Sequence, residues 1–200
     1  MSNMCAKWCI NDAPFYTLYA RLCTIMYHST TFGPLWTIWF TGAKKTIWVF
    51  PDDNPIRPAL LQLLHLPTLT HLQVTRIWDF VVSDLIPCVN LKYLNIGNYT
   101  TVAAENLNTF PATLPEHSIQ LNEFVARPRT STAIMKLCTA RRPDGQPIID
   151  FGSLSKITVT FERPNEGEAS QELFRRCHSL TNVSISCKWH LQVHGDHQIF

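Results

Sequence analysis

Histidines are concentrated near the C-terminal end, in the stretch HLQVHGDHQIF. His190 and His194 lie four residues apart, which on a helix is a spacing that lets two imidazoles hold one metal ion. The residues LQV between them are instead typical of a strand, in which residues four apart lie too far apart for easy chelation. The stretch therefore predicts a solvated end strand, with no metal and no cofactor. A metal-dependent enzyme that uses these histidines is the remote alternative.

Other reactive side chains lack the partners that catalysis needs. Asp52 and Asp53 lie between two prolines, which is typical of a turn. TGAKKT lacks the spacer and the second glycine of a phosphate loop. Basic neighbours would lower the thiol pKa of Cys138 and Cys177, yet both cysteines occupy apolar positions of predicted helices, which favours packing. We therefore expect no catalytic residues and no enzymatic activity.

The composition is that of a folded chain without a dominant charge. Its 200 residues are 46% hydrophobic and 16% charged, with a formal net charge of +2. Lys and Arg are dispersed, so we expect no nucleic-acid partner. Seven cysteines, an odd number, indicate reduced thiols and a cytoplasmic or nuclear location. The uncharged stretch between Arg21 and Lys44 contains Pro34, which argues against a membrane-spanning helix.

Two leucine-rich stretches repeat one pattern at a fixed distance. A single shift aligns HLPTLTHLQV with IPCVNLKYLNI and places Leu72 on Leu94 and Val74 on Ile96. Near the C-terminal end, a slightly longer shift aligns FGSLSKITVTF with CHSLTNVSISC and places Ile157 on Val183. The shared pattern is apolar-x-x-Leu-x-x-apolar-x-apolar. This leucine spacing, at a period of about 20 to 29 residues, is typical of leucine-rich repeats.

Weaker copies extend the series, so core strands are expected to begin at residues 47, 72, 94, 119, 157 and 183. TSTAIMKLCTARRPDGQP predicts a helix followed by a Pro-Gly turn. ASQELFRRCHSL predicts a helix with Ser170 as its N-cap and Arg175 and Arg176 in its last turn. The predicted fold is α/β, an irregular leucine-rich-repeat solenoid of about six strand-plus-helix or strand-plus-turn units over residues 44–200. A compact α/β domain with similar strands is the alternative.

The connecting phrases also resemble a known family. From FPDDNPIRPALLQLLHLPTLTHLQV through DLIPCVNLKYLNIG and TFPATLPEHSIQLNEFVA to LFRRCHSLTNVSI, about residues 45 to 187, the chain resembles fungal F-box-type leucine-rich-repeat proteins. The resemblance implies that the repeats bind the protein substrate of a ubiquitin ligase, with a Skp-type adaptor and a cullin as further partners. Residues 1–43 contain no recognisable F-box, and we expect them to form an irregular N-terminal cap, either a divergent or a lost F-box. Ile77 and Tyr99 stand where regular repeats carry asparagine or cysteine.

The predicted partner-binding surface is the concave face of the strands, which points away from the core. Alternation along the strands assigns to it His71, Gln73, Thr75, Tyr93, Asn95, Lys156, Thr158, Thr160, Asn182, Ser184 and Ser186. These side chains are polar and mostly uncharged, so they suit hydrogen bonding to a protein and would not attract nucleic acid or a membrane. The predicted function is non-enzymatic protein recognition, as in the substrate-binding repeats of an F-box receptor. A stand-alone or truncated repeat scaffold with no ligase role is the alternative.

Overall fold

We describe the protein from a computed structural model, which covers residues 5–8, 23–30, 33–47, 61–103, 114–163 and 166–188. Residues 61–64 form a helical turn. The strands are β1 Cys5–Trp8, β2 Cys23–Thr30, β3 Gly33–Ile47, β4 Leu69–Trp78, β5 Tyr93–Ile96, β6 Ile119–Gln120, β7 Glu123–Ala126, β8 Ile149–Asp150, β9 Lys156–Phe161 and β10 Asn182–Cys187. Helix α1 is Ser131–Thr139 and helix α2 is Glu166–Arg176, and 3-10 turns cover Val82–Leu85 and Phe151–Ser153.

An eight-stranded sheet in the order β1-β2-β3-β4-β5-β7-β9-β10 forms the centre of the fold. Its five strands β4, β5, β7, β9 and β10 are parallel, and β3 pairs with β4 in the same direction. Strands β1 and β2 are antiparallel to their neighbours, while β6 and β8 pair in a separate two-stranded sheet. Neighbours in the large sheet therefore follow chain order, and the fold is mixed α/β.

The repeat distances found in the sequence are the registers of two parallel pairs. Leu72 pairs with Leu94, and Ile157 pairs with Val183, as the two sequence alignments place them. The strands predicted near residues 72, 94, 157 and 183 are confirmed as β4, β5, β9 and β10. The offset is longer in between, where Leu94 pairs with Phe124 and Phe124 pairs with Ile157. Register is thus kept while the length of each connection varies.

Two predicted strand positions are wrong. Leu94 pairs with Phe124, so β7 follows β5 in the large sheet, whereas Ile119 belongs to β6 and pairs with Ile149 in the small sheet. The partner of Leu72 on the other side is Ile38 rather than Ile47. Strand β3 begins earlier than the pattern suggested and changes register near its end. Strand β3 also continues across residue 43. The boundary predicted there, between the N-terminal cap and the repeats, stays a prediction.

The core lies on one face of the parallel strands, because every second strand residue is apolar and points there. Its largest fully buried side chains are those of Phe80 and Phe124, both 0% exposed. The same cluster contains Ala133, Ile134, Leu137 and Cys138 of α1, and Ala169 and Leu173 of α2. Both helices therefore cover the core face of the sheet. At β10 this face is open, since Val183 is 49% exposed and Ile185 is 54% exposed.

The predicted helices are present, with one correction at an end. The helix and turn expected between residues 130 and 147 are confirmed as α1 and a turn at Gly145, whose φ is +83°. Ser170 is not an N-cap, because α2 begins at Glu166 and the buried Ser170 hydroxyl donates a hydrogen bond to the Glu166 carbonyl. Arg175 and Arg176 do lie in the last turn. Among the described residues no helix is long and apolar enough to cross a membrane.

Candidate functional site

Two rows of side chains cross the five parallel strands on the face opposite the core. Strand register defines the first row as His71, Tyr93, Glu123, Lys156 and Asn182. It defines the second row as Gln73, Asn95, Val125, Thr158 and Ser184. Nearer the carboxyl ends of the strands lie Thr75, Thr160 and Ser186. All residues predicted for the partner-binding surface therefore share one face, which we call the outward face.

Within the first row, two pairs of neighbouring side chains contact each other. The rings of His71 and Tyr93 are stacked, with 5.4 Å between their centroids. The Lys156 ammonium lies 2.9 Å from the Glu123 carboxylate. Because both charged groups are partly exposed, solvent screens this pair and it contributes about 0–1 kcal/mol. The row therefore presents hydrogen-bonding groups and aromatic rings, and the charges of Glu123 and Lys156 offset each other.

In the second row, Asn95 is the buried centre. It is 5% exposed, and its Nδ2 donates to Gln73 Oε1 and to the Tyr93 hydroxyl, each at 3.2 Å. Its neighbour Val125 is also 5% exposed. These contacts join the two rows and limit the rotamers available to their side chains, so a partner would meet a largely preformed surface.

Gly97 allows strands β4 and β5 to approach closely at their carboxyl ends. A Cβ atom added to Gly97 would lie 2.7 Å from the Cβ of Thr75 and closer still to its hydroxyl oxygen. Glycine at this position thus leaves room for the Thr75 side chain on the outward face.

The turns that follow the strands are tied together by Arg129. Its guanidinium donates to Glu162 through Nε at 2.7 Å and Nη2 at 3.0 Å, and to the Tyr99 hydroxyl through Nη1 at 2.7 Å. It also lies over the Tyr99 ring, 4.9 Å from the centroid. The hydrogen bond with Glu162 is the main reason why the pKa of Arg129 is raised. Three successive turns are therefore connected in one network.

The same turns are fixed from beneath by the carboxylate of Glu166, a side chain at the start of α2. Glu166 is 5% exposed, and its carboxylate accepts backbone N–H groups from Arg129 at 2.5 Å, Glu162 at 2.6 Å and Arg163 at 3.3 Å. A buried carboxylate is tolerated when its oxygens are satisfied by donors in this way. Glu166 thus positions the turns after β7 and β9 on the helix.

A polar pocket of about 510 Å³ opens beside the carboxyl ends of the strands. Four residues predicted for the partner-binding surface line it, namely Gln73, Thr75, Asn95 and Thr160. The remaining predicted residues lie elsewhere on the outward face. The sequence reasoning missed Arg76, Arg127 and Lys188, which also line the pocket. Arg127 directly follows β7, a strand that the repeat pattern had placed at residue 119.

Among the described cysteines, Cys88 and Cys138 are buried and Cys177 is half-buried, whereas Cys187 is exposed. Burial raises the pKa of Cys88 to about 12 and that of Cys177 to about 11. Burial also raises the pKa of Cys138 to about 12, and this effect outweighs the opposing influence of the Arg176 charge. The thiolate form is therefore disfavoured, and packing is the better explanation for these side chains.

The described ranges contain no group of three His, Cys, Asp or Glu side chains that could hold a metal ion. His190 and His194 lie outside the described residues, as do Asp52 and Asp53. Comparison with protein-family models, with curated proteins and with solved structures finds no match. The resemblance to F-box-type leucine-rich-repeat proteins therefore stays a prediction.

Proposed function

We propose that the chain is an irregular leucine-rich-repeat solenoid that recognises another protein through its outward face and catalyses no reaction. The order of the strands supports the solenoid, because each parallel strand pairs with the next one in the large sheet along the chain. The kept register supports it further, since corresponding apolar positions of successive repeats lie side by side. This arrangement is what stacked repeat units produce.

One observation carries the recognition function: two rows of mostly polar side chains run uninterrupted across five parallel strands. Strands lie about 4.7–4.9 Å apart, so the rows are roughly 20 Å wide. Helices α1 and α2 cover the opposite face, while Gln73 and Thr158 are half-buried and Ser184 is exposed on this one. A broad, preformed polar surface suits a protein partner, whereas the buried thiols with raised pKa values offer no activated nucleophile.

The family resemblance gives this function a cellular setting. As the substrate-binding part of an F-box receptor, the outward face would hold a protein destined for ubiquitination. Residues 1–43 would contact a Skp-type adaptor, which in turn binds a cullin. A stand-alone repeat scaffold is the second candidate, because those residues contain no recognisable F-box motif. The two candidates share the outward face and differ only in adaptor binding.

The test is affinity purification of the full chain from cell extract, followed by quantitative mass spectrometry, with two matched variants. Thr158→Arg places a long cation on the outward face, where Thr158 is half-buried in the second row. Gln171→Arg adds the same charge on an exposed position of α2. We expect a protein that is recovered with the unchanged chain and with Gln171→Arg, and is lost with Thr158→Arg.

Equal recovery with both variants would contradict recognition by the outward face, as would the absence of any specific partner of the unchanged chain. The adaptor is a separate readout. Recovery of a Skp-type adaptor and a cullin by all three chains would support the receptor, because Thr158 lies outside residues 1–43. Partner recovery without these ligase components would rule out the receptor and favour the scaffold.

A further inference from the structure

The polar pocket beside the strand ends is strongly basic. Among the described lining residues, Arg76, Arg127 and Lys188 are cationic and none is acidic. Arg127 and Lys188 are exposed, so a ligand can reach their charged groups without desolvation of a buried ion. In the first row, Glu123 and Lys156 are paired with each other, and their charges largely cancel. The outward face therefore has a positive end at the carboxyl ends of its strands.

Backbone geometry places these cations together. Arg76 has a φ of +57°, an uncommon conformation for a residue other than glycine. This conformation interrupts the alternation of β4, so that the consecutive residues Thr75 and Arg76 both line the pocket. Arg127 and Lys188 are each the first residue after a strand. Backbone strain of this kind is retained where the surrounding structure fixes it, and it is concentrated at functional sites.

Hydrogen bonds to the neighbouring strand hold each cation's backbone. The Arg76 N–H donates to the Asn98 carbonyl at 3.1 Å, the Arg127 N–H to the Ile96 carbonyl at 3.0 Å, and the Lys188 N–H to the Phe161 carbonyl at 2.8 Å. The backbones of the three cationic residues are therefore fixed, while their side chains are exposed.

Asn95 contributes a hydrogen-bond acceptor to the pocket lining, in contrast to the cationic residues. Its Oδ1 is buried and has no hydrogen-bond partner among the described residues. A buried acceptor left unsatisfied costs about 1–3 kcal/mol, and a ligand that donates an N–H group would recover part of this. The ligand best suited to the pocket therefore carries anionic oxygens and also N–H donors.

We infer that the pocket binds an acidic segment of the protein partner, through side-chain carboxylates or phosphates. The inference rests on the proposed function and names the chemistry of the partner. Arg76 lies in β4, and Arg127 and Lys188 directly follow β7 and β10, which are every second strand of the sheet, so the backbones of neighbouring members are about 9–10 Å apart. A segment with several anionic side chains meets this spacing better than a single free phosphate. The described lining residues include no aromatic ring on which a nucleobase would stack.

The test is binding of fluorescein-labelled peptide libraries to the full chain, measured by fluorescence anisotropy at low salt. Three libraries have the same degenerate flanks and carry glutamate, phosphoserine or serine at the fixed positions. We expect the glutamate or phosphoserine library to bind and the serine library not to bind. Arg127→Gln together with Lys188→Gln should weaken binding about tenfold or more, which is about 1.4 kcal/mol. Arg175→Gln removes a charge from α2 and should leave the affinity unchanged.

Phosphate and nucleic acid are included as competing probes. Inorganic phosphate should displace the peptides only at much higher concentration, since it offers one anionic group. Tighter binding of single-stranded RNA than of either acidic library would overturn the inference, and so would equal binding of the serine library. If the acidic libraries fail while Thr158→Arg still removes a cellular partner, the pocket inference is wrong and the proposed function stands.

Discussion

The buried carboxylate of Glu166 is expected to be a main support of the turns behind the outward face. Replacing it with alanine would leave the backbone N–H groups of Arg129, Glu162 and Arg163 without their acceptor. Glu168 is the matched control, because it lies in the same first turn of α2 but is exposed. Both carboxylates interact favourably with the helix dipole, so the difference between the two variants reports mainly the buried hydrogen bonds.

The size of the effect follows from the two short contacts, at 2.5 and 2.6 Å. Each donor left unsatisfied costs about 1–3 kcal/mol, and water entering the gap recovers part of this. We therefore expect Glu166→Ala to lower the free energy of unfolding by about 3 kcal/mol. Glu168→Ala should lower it by about 0.5 kcal/mol. Glu166→Gln keeps one acceptor oxygen and should fall between these two values.

Urea denaturation followed by circular dichroism at pH 7 measures these differences. The midpoint should shift while the dependence of the free energy on urea concentration stays constant, which shows that the exposed surface is unchanged. The reasoning would be refuted if Glu166→Ala and Glu168→Ala differed by less than about 0.5 kcal/mol, the usual effect of a surface substitution. A Glu166→Gln variant as stable as the unchanged chain would show that the second oxygen is not needed.

Gly97→Ala should lower the free energy of unfolding by about 1–3 kcal/mol, because the added Cβ would clash with Thr75. In the same urea assay, Gly167→Ala should raise the free energy of unfolding by up to about 1 kcal/mol, because its added Cβ meets no atom within 4 Å. Because burial raises the pKa of Cys88 and Cys138 from 9.0 to about 12, the folded chain keeps protons that the unfolded chain loses. Stability should therefore fall as the pH rises above 9, and a Cys88→Ala/Cys138→Ala variant should show a shallower fall, with the remaining part due to the raised pKa of Cys177. With a maleimide reagent at pH 7.5, the exposed Cys187 should be labelled before Cys88 and Cys138, and labelling of Cys88 before urea unfolds the chain would contradict its burial.

The sequence predicted the strands that share the repeat pattern and missed those that depart from it. Leu72 and Leu94 were found because the same spacing of buried side chains sets both the pattern and the register. Phe124 was missed because the offset lengthens at β7, and Ile119, which also fits the pattern, comes earlier in the chain. A local apolar pattern cannot distinguish a strand of the large sheet from one of the small sheet, since both bury alternate residues.

For the candidate surface too, the sequence predicted some residues and missed others. Side chains on the strands, such as Gln73 and Thr158, were assigned to the outward face because alternation fixes their direction. Arg127 and Lys188 follow the strands, where alternation no longer applies, and Arg76 interrupts it with a positive φ. Turn conformation and cross-strand contacts decide where such side chains lie, and neither is expressed in the spacing of apolar residues. The spacing of apolar residues therefore could not predict the basic pocket.

The variable connections have a consequence for how this chain could change in evolution. The offset between successive parallel strands differs at every step from β4 to β10, yet the side chains of the outward face stay aligned. Insertions and deletions behind the sheet would thus alter the back of the molecule without moving a residue at the front. The entropic penalty is small, about 0.6 kcal/mol for each doubling of a flexible loop. Descendants of this chain can therefore gain or lose whole segments and inherit an unchanged outward face.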